Sequence, residues 1–300
     1  MLTRVRLTPF DFVLYATVVL TWGLAWIVIH FQVGVVAPEV SVFWRFLFAG
    51  IIMLLIAAIR GDRLSYSLHS HVLFALLGLL MFSLNFLLFY HAAATLPSGL
   101  LSIVFSLASF INVWLGALFL KTPVDRRVVG GGLLGTAGMA ALFYPQFGGN
   151  AVPQGALIAL GLSLAGTLAF CFANIVSARI SARKYPVFAS TGYGMLYGSI
   201  GLAIYALARG HAFTVEWTPI YLGGLVYLAL ISSVIAFACY LTLLGRIGAD
   251  RAAYVTVLGP VVALVVSTFV ENFQWGLVAA LGLVAVLVGN VLVLRPARKA

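Results

Sequence analysis

The sequence predicts an all-α integral membrane protein of ten transmembrane helices, arranged as two inverted-topology five-helix repeats with both termini on the cytoplasmic side. Three observations predict it: the overall apolarity, the length of the apolar runs and the one-sided placement of the cations. Of the 300 residues, 63% are hydrophobic and 8% charged, where soluble domains have roughly half and a quarter. In lipid every backbone polar group must be satisfied internally, so a spanning chain forms helices or a closed barrel. Runs such as 72–89 and 277–294 are continuously apolar, whereas barrel strands alternate over about 10 residues. Helices are therefore expected.

Apolar stretches of about 20 residues fall at 12–30, 38–59, 72–90, 98–120 and 127–144, then at 155–178, 187–208, 219–244, 252–270 and 273–294. The first follows Arg4 and Arg6 as in a signal peptide, but it lacks a cleavage site and reads as a retained helix. The net charge of +10 would suggest nucleic acid in a soluble protein. Here its placement follows topology. Arg4 and Arg6; Arg60 and Arg63; Lys121, Arg126 and Arg127; Arg179, Arg183 and Lys184; Arg246 and Arg251; and Arg295, Arg298 and Lys299 occupy alternate connections and account for 15 of the 17 Lys and Arg residues. The opposite connections hold only Arg209. Cytoplasmic loops retain Lys and Arg, which sets the orientation and makes the inner membrane the expected location. No nucleic-acid partner is expected. Cys171 and Cys239 lie inside apolar runs and read as small core residues rather than a disulfide or metal pair.

The loops are short, so no soluble catalytic or nucleotide-binding domain fits between the helices. The stretch 144–153, with two prolines and two glycines, lies midway and divides the chain into residues 1–147 and 152–300. Five helices per half is an odd number, so the second half must enter from the opposite face, as in inverted-repeat transporters. A shift of 150 residues sets Tyr90 on Tyr240, Phe119 on Phe269, Lys121 on Glu271, Gly132 on Gly282 and Leu142 on Leu292. A shift of 144 sets Leu24-Ala25-Trp26 on Leu168-Ala169-Phe170 and His30 on Asn174. Two such repeats close a pathway within one chain, so a monomer suffices.

Trp22-Gly23, Pro38 with Arg45, and the block from Tyr240 to Gly289, with Leu258-Gly259-Pro260-Val261, Glu271 and glycines 282 and 289, resemble the drug/metabolite transporter superfamily in its ten-helix EamA form. The first half departs from that pattern, with Phe110 where a proline would lie and Lys121 where the glutamate would lie. The resemblance implies export of metabolites. Together with length and aromatic content it suggests the amino-acid exporters, including the YddG-like exporters of aromatic amino acids.

Arg45 is the one charge well inside a span, about 10 Å below the outer end at 1.5 Å per residue. It is a candidate to hold a substrate carboxylate bidentately, against snorkelling outward or pairing with Glu39 or a backbone carbonyl. Gly259-Pro260 near mid-span is a candidate hinge, since proline frees a carbonyl and bends the helix. Ser102, Ser106 and Ser109, with Asn112, are candidate ligand hydroxyls, or bond back to their own helix. Asn85, Phe86, Tyr90 and His91, with Trp22 and Trp26, are candidate cavity residues; Tyr90 and His91 also suit an interfacial belt. In the second half Asn174, Ser232, Ser233, Tyr240 and Tyr254 are comparable candidates.

All seven acids, Asp11, Glu39, Asp62, Asp125, Glu216, Asp250 and Glu271, fall at or near span ends, which disfavours a buried carboxylate relay. Any proton coupling would fall to His91, His30 or Glu271. No P-loop, metal-ligand set or nucleophile constellation occurs, so no cofactor, metal or catalysis is expected. The expected function is alternating-access export of small metabolites, chiefly aromatic or hydrophobic amino acids, with the bilayer and the solute as partners. The alternatives are a nucleotide-sugar or phosphorylated-metabolite exchanger, which would call for several cavity cations, and a membrane enzyme or channel.

Overall fold

The computed structural model describes residues 8–121, 126–147, 155–247, 252 and 254–294. Most of the halfway linker, the cations Arg4, Arg6, Arg251, Arg295, Arg298 and Lys299, and the acids Asp125 and Asp250 lie outside the described residues. Every ordered element among the described residues is helical. In chain order they are α1 (Pro9–Phe31), α2 (Pro38–Ile59), α3 (Leu68–Ala93), α4 (Ser98–Ser106 and Ala108–Leu120, meeting at Leu107), α5 (Arg126–Phe147), α6 (Ala156–Ala182), α7 (Val187–Ala208), α8 (Pro219–Ile247), α9 (Val255–Val270) and α10 (Leu277–Leu294). Eight of them are long and apolar enough to cross a membrane. The other two are α9, which is apolar but shorter, and α5, which carries Arg126, Arg127 and five glycines at 130, 131, 132, 135 and 138.

The helix starts follow local chemistry. Thr8 and Asp11 form a reciprocal capping box at the head of α1, satisfying backbone donors that have no partner inside the helix. Pro38 and Pro219 sit at the first positions of α2 and α8, where a proline loses no hydrogen bond. Two helices leave α-geometry midway. α3 is π-helical over Gly78–Leu84 and α8 over Tyr227–Ile235, and these stretches lie 150 residues apart in register.

Close backbone approach sets the packing, as expected where lipid removes the hydrophobic drive between helices and small residues let them touch. α5 lies antiparallel to α10. A Cβ on Gly131 would stand 2.7 Å from the Gly289 carbonyl oxygen, and one on Gly289 2.5 Å from that of Gly131. Gly138 and Gly282 repeat the exchange at 2.6 Å in each direction. α2 packs on α7 with the same reciprocity: Gly50 meets Leu196, and Gly192 meets Leu54. α1 lies against α8 and α9, α3 against α6 and α7, and α4 against α6 and α9.

Polar contacts tie the two ends of the bundle. Where α1 begins, Asp11 pairs with Arg246 of α8. At the same end Tyr66, Phe74, Tyr185 and Tyr193 pack edge to face or stacked. Burial pushes the Tyr66 hydroxyl above its ordinary range, so it stays protonated and donates to the Arg63 carbonyl. At the opposite end the buried carboxylate of Glu39 accepts from His211 Nδ1 at 2.7 Å, with His91 Nε2 at 4.0 Å. Glu39 therefore pairs with histidines, where the sequence had offered Arg45. Phe213 and Thr214 fix the same segment to α2, through Phe43 at 5.0 Å and the Trp44 indole at 3.2 Å. Glu271 at the end of α9 accepts from Ser98 N at 3.0 Å and Ser98 Oγ at 2.5 Å, capping α4, with His30 Nδ1 at 3.5 Å.

Two outcomes test this packing. Thermal unfolding in detergent should show Gly138→Ala destabilised by about 1–3 kcal/mol. Gly130→Ala, which meets open space, should stay within about 0.5 kcal/mol of wild type. A double-mutant cycle of Glu39→Gln with His211→Ala should give a coupling of about 1 kcal/mol; additive losses would show that the pair does not hold this end.

Candidate functional site

The charge inside α2 organises the site. Arg45 is 3% exposed, which rules out snorkelling, and it has few partners. Its Nε donates to Ser233 Oγ of α8 at 3.3 Å. Its guanidinium carbon lies 4.3 Å from the ring centre of Phe86 and 4.8 Å from that of Phe46, the geometry of cation–π attraction. The Tyr90 hydroxyl lies beside it. Neither Arg45 Nη1 nor Tyr90 Oη has a hydrogen-bond partner in good geometry, although both are buried. An unpaired buried donor on a charged group costs free energy.

The two π-helical stretches deliver the surrounding side chains. Ser233 lies in that of α8 and donates to Leu228 O, five residues back, at 2.7 Å. Asn85 closes that of α3 and donates from Nδ2 to Met81 O at 3.2 Å, while its Oδ1 is buried without a partner. Phe86 and Tyr90 follow on the next turns. Single π turns inside α-helices occur disproportionately at functional sites.

The other candidates fall on neighbouring seams. Trp22 donates from Nε1 to Ser232 O at 3.2 Å and packs on Tyr240 at 5.2 Å, joining α1 to α8. Trp26 meets Phe89 at 5.0 Å and Phe105 at 5.5 Å, and Phe105 meets Phe170 at 4.7 Å. This forms an aromatic row between α1, α3, α4 and α6. Asn174 Nδ2 donates to Asn112 Oδ1 at 3.3 Å between α6 and α4.

The hydroxyls of α4 are engaged in structure. Ser102 and Ser106 donate to Gly99 O at 2.6 Å and Ile103 O at 2.7 Å, and Ser109 bonds Ser106 O and Asn290 of α10. Pro260 is buried inside α9 without ending it. The Gly259 carbonyl stands 3.1 Å from where a Cβ on Gly23 would lie, so α1 packs closely on α9 beside the proline. The structure thus unites Arg45, Phe86 and Tyr90 with Ser233, and sets Ser232 on the seam with Trp22. It sets His91 at one end, on Glu39, and Tyr254 at the other, just before α9.

Sequence reasoning missed the π-helical stretches and the Glu39–His211 pair. A π turn leaves no residue signature, and a loop histidine gives no hint of the helix it caps. A separate cavity of ≈ 290 Å³ opens beside His30, Thr95, Pro97 and Glu271, away from Arg45.

The model of the EamA-like transporter family matches twice, over residues 11–144 and 156–295. The uncharacterized inner membrane transporter YedA of Escherichia coli K12 is 29% identical over 270 residues, covering 88% of this chain and 83% of its own. The uncharacterized transporter YvbV of Bacillus subtilis 168 is 25% identical over 268 residues, covering 85% and 82%. A probable amino-acid metabolite efflux pump of Escherichia coli K12 is 24% identical over 295 residues, covering 93% of each chain. A solved structure titled only as the crystal structure of a protein shares the fold, with a TM-score of 0.67 at 17% identity over 94% of this chain and 95% of that one. With the family model covering both halves, and apolar helices packed through small residues, the chain belongs to the EamA-like transporter family of multi-pass membrane proteins.

Proposed function

We propose that this chain is an alternating-access exporter of small amino-acid-type metabolites, chiefly aromatic or hydrophobic ones. In this reading ten helices cross the inner membrane as two inverted repeats, residues 1–147 and 152–300, with both termini cytoplasmic and one chain sufficient for transport. The observation that carries it is the reciprocal packing of the halves. Gly131 and Gly138 of α5 exchange contacts with Gly289 and Gly282 of α10, Gly50 of α2 and Gly192 of α7 each meet a leucine of the other helix, and the π-helical stretches recur 150 residues apart. Two matches to one family model support the same division. Inverted halves supply two conformers in which a central site faces opposite sides of the membrane.

The amino-acid reading draws on the aromatic row around Trp26, on Trp22 and on Arg45, and on the name of the efflux pump to which the chain is similar. Stacking and hydrogen bonds serve such a solute without a deep acid. A phosphorylated-metabolite exchanger would call for several cations at the site, and Arg45 is the one Lys or Arg well inside a span.

Proteoliposomes holding the purified protein should show saturable counterflow of phenylalanine, tryptophan or threonine. Flux of a nucleotide sugar alone would overturn the substrate class. Alkaline phosphatase fused after Gly210 should be active and the same enzyme fused after Lys184 inactive; the reverse pattern would invert the topology.

A further inference from the structure

The charge balance around Arg45 carries the substrate reading further, and it rests on that reading. One guanidinium is buried among apolar helices with Nη1 and the neighbouring Tyr90 hydroxyl both unsatisfied. Among the described residues the other acids lie elsewhere. Glu39 holds His211, Glu271 caps α4 through Ser98, Glu216 accepts from Thr218 at 3.0 Å, and Asp11 pairs with Arg246 at the far end. Asp62 lies in the loop between α2 and α3. Among the described residues no carboxylate oxygen stands within 4.0 Å of Arg45. The groups facing Arg45 from α3 and α8 are Phe86, Tyr90 and Ser233, none of which is anionic.

We propose that Arg45, Tyr90 and Ser233 form a recognition point for a single carboxylate, and that the site has no counter-charge for an ammonium. Arg45 Nη1 and the Tyr90 hydroxyl supply two donors to the carboxylate, and Ser233 Oγ, held loosely on Nε at 3.3 Å, yields its place. One guanidinium neutralises one negative charge, so a phosphate dianion is left unbalanced. The ring of Phe86 receives an apolar or aromatic body. The class carried is therefore monocarboxylates with an apolar body, whether or not they bear an amine; amines without a carboxylate are excluded.

The test uses the full-length protein in two arms. In proteoliposomes, 3-phenylpropionate should compete with labelled phenylalanine within a few-fold of unlabelled phenylalanine. Phenethylamine and phenylalaninamide should be weaker by on the order of 100-fold, the scale of losing one partner of a buried charge-assisted contact. In the second arm, excess 3-phenylpropionate should raise the melting temperature of the detergent-solubilised wild type. It should leave that of Arg45→Met unshifted, and Arg45→Lys, which keeps the charge without the fork, should show a reduced shift.

Arg45→Met should itself melt no lower than wild type, because replacing a buried charge by an apolar group of similar volume is often neutral or stabilising. Competition by phenethylamine equal to that of phenylalanine would overturn the proposal, as would an undiminished shift in Arg45→Met. Failure of phenylalanine flux with the melting shift intact would sink the exporter reading and leave the carboxylate site standing.

Discussion

Lipid offers no partner to a peptide group, and that constraint governs everything else in this molecule. Every described element is a helix for this reason, and each departure from α-geometry must find its own compensation. Leu228 O in the π-helical part of α8 receives Ser233 Oγ, and Met81 O in that of α3 receives Asn85 Nδ2. Polar side chains are scarce here, so the irregular turns and the polar side chains have to coincide. The same economy that forces helices gathers the chemistry around Arg45.

Two kinds of seam result. α5 and α10 touch through glycine backbones, and α2 and α7 through glycine against leucine. Such contacts are broad and admit few alternative registers, because a shift drives a side chain into a carbonyl. The contacts of α8 with α1 and α2 are narrower: Trp22 on Ser232 O, Arg45 on Ser233, Gln32 on Tyr221 O at 2.8 Å and Ser41 on the Tyr221 hydroxyl at 2.9 Å. A few directional bonds of this kind exchange partners at small net cost. Under the proposed alternating access, the glycine seams would suit the fixed parts of the bundle and the hydrogen-bonded seams the parts that rearrange.

Much of the architecture was legible in the sequence, because bilayer thickness sets helix length and apolar runs betray it. The expected spans at 38–59 and 187–208 coincide with α2 and α7, and Gly282 and Gly289 reappear as packing surfaces. Arg45 stood out as a lone charge and proved buried, with Phe86 and Tyr90 drawn to it. The serines of α4 were ambiguous for a physical reason, since a hydroxyl in lipid bonds its own carbonyl as readily as a ligand, and Ser102 and Ser106 do so. The pairing of Glu39 with His211 depends on how the segment after α7 folds over α2, 172 positions away in sequence. No local pattern encodes such a contact.

The cap that Glu271 places on Ser98 has a consequence in population terms. On the proposed repeat, residue 271 corresponds to residue 121, where the first half carries an exposed lysine in left-handed backbone conformation. Two identical halves would make the states closed at one end and at the other equal in energy. Each difference between the halves becomes a weight on that balance, and about 1.4 kcal/mol multiplies the ratio tenfold. If the two halves exchange roles as proposed, a carboxylate that closes one end, matched by a lysine at the other, would tilt the resting protein toward one of its two states.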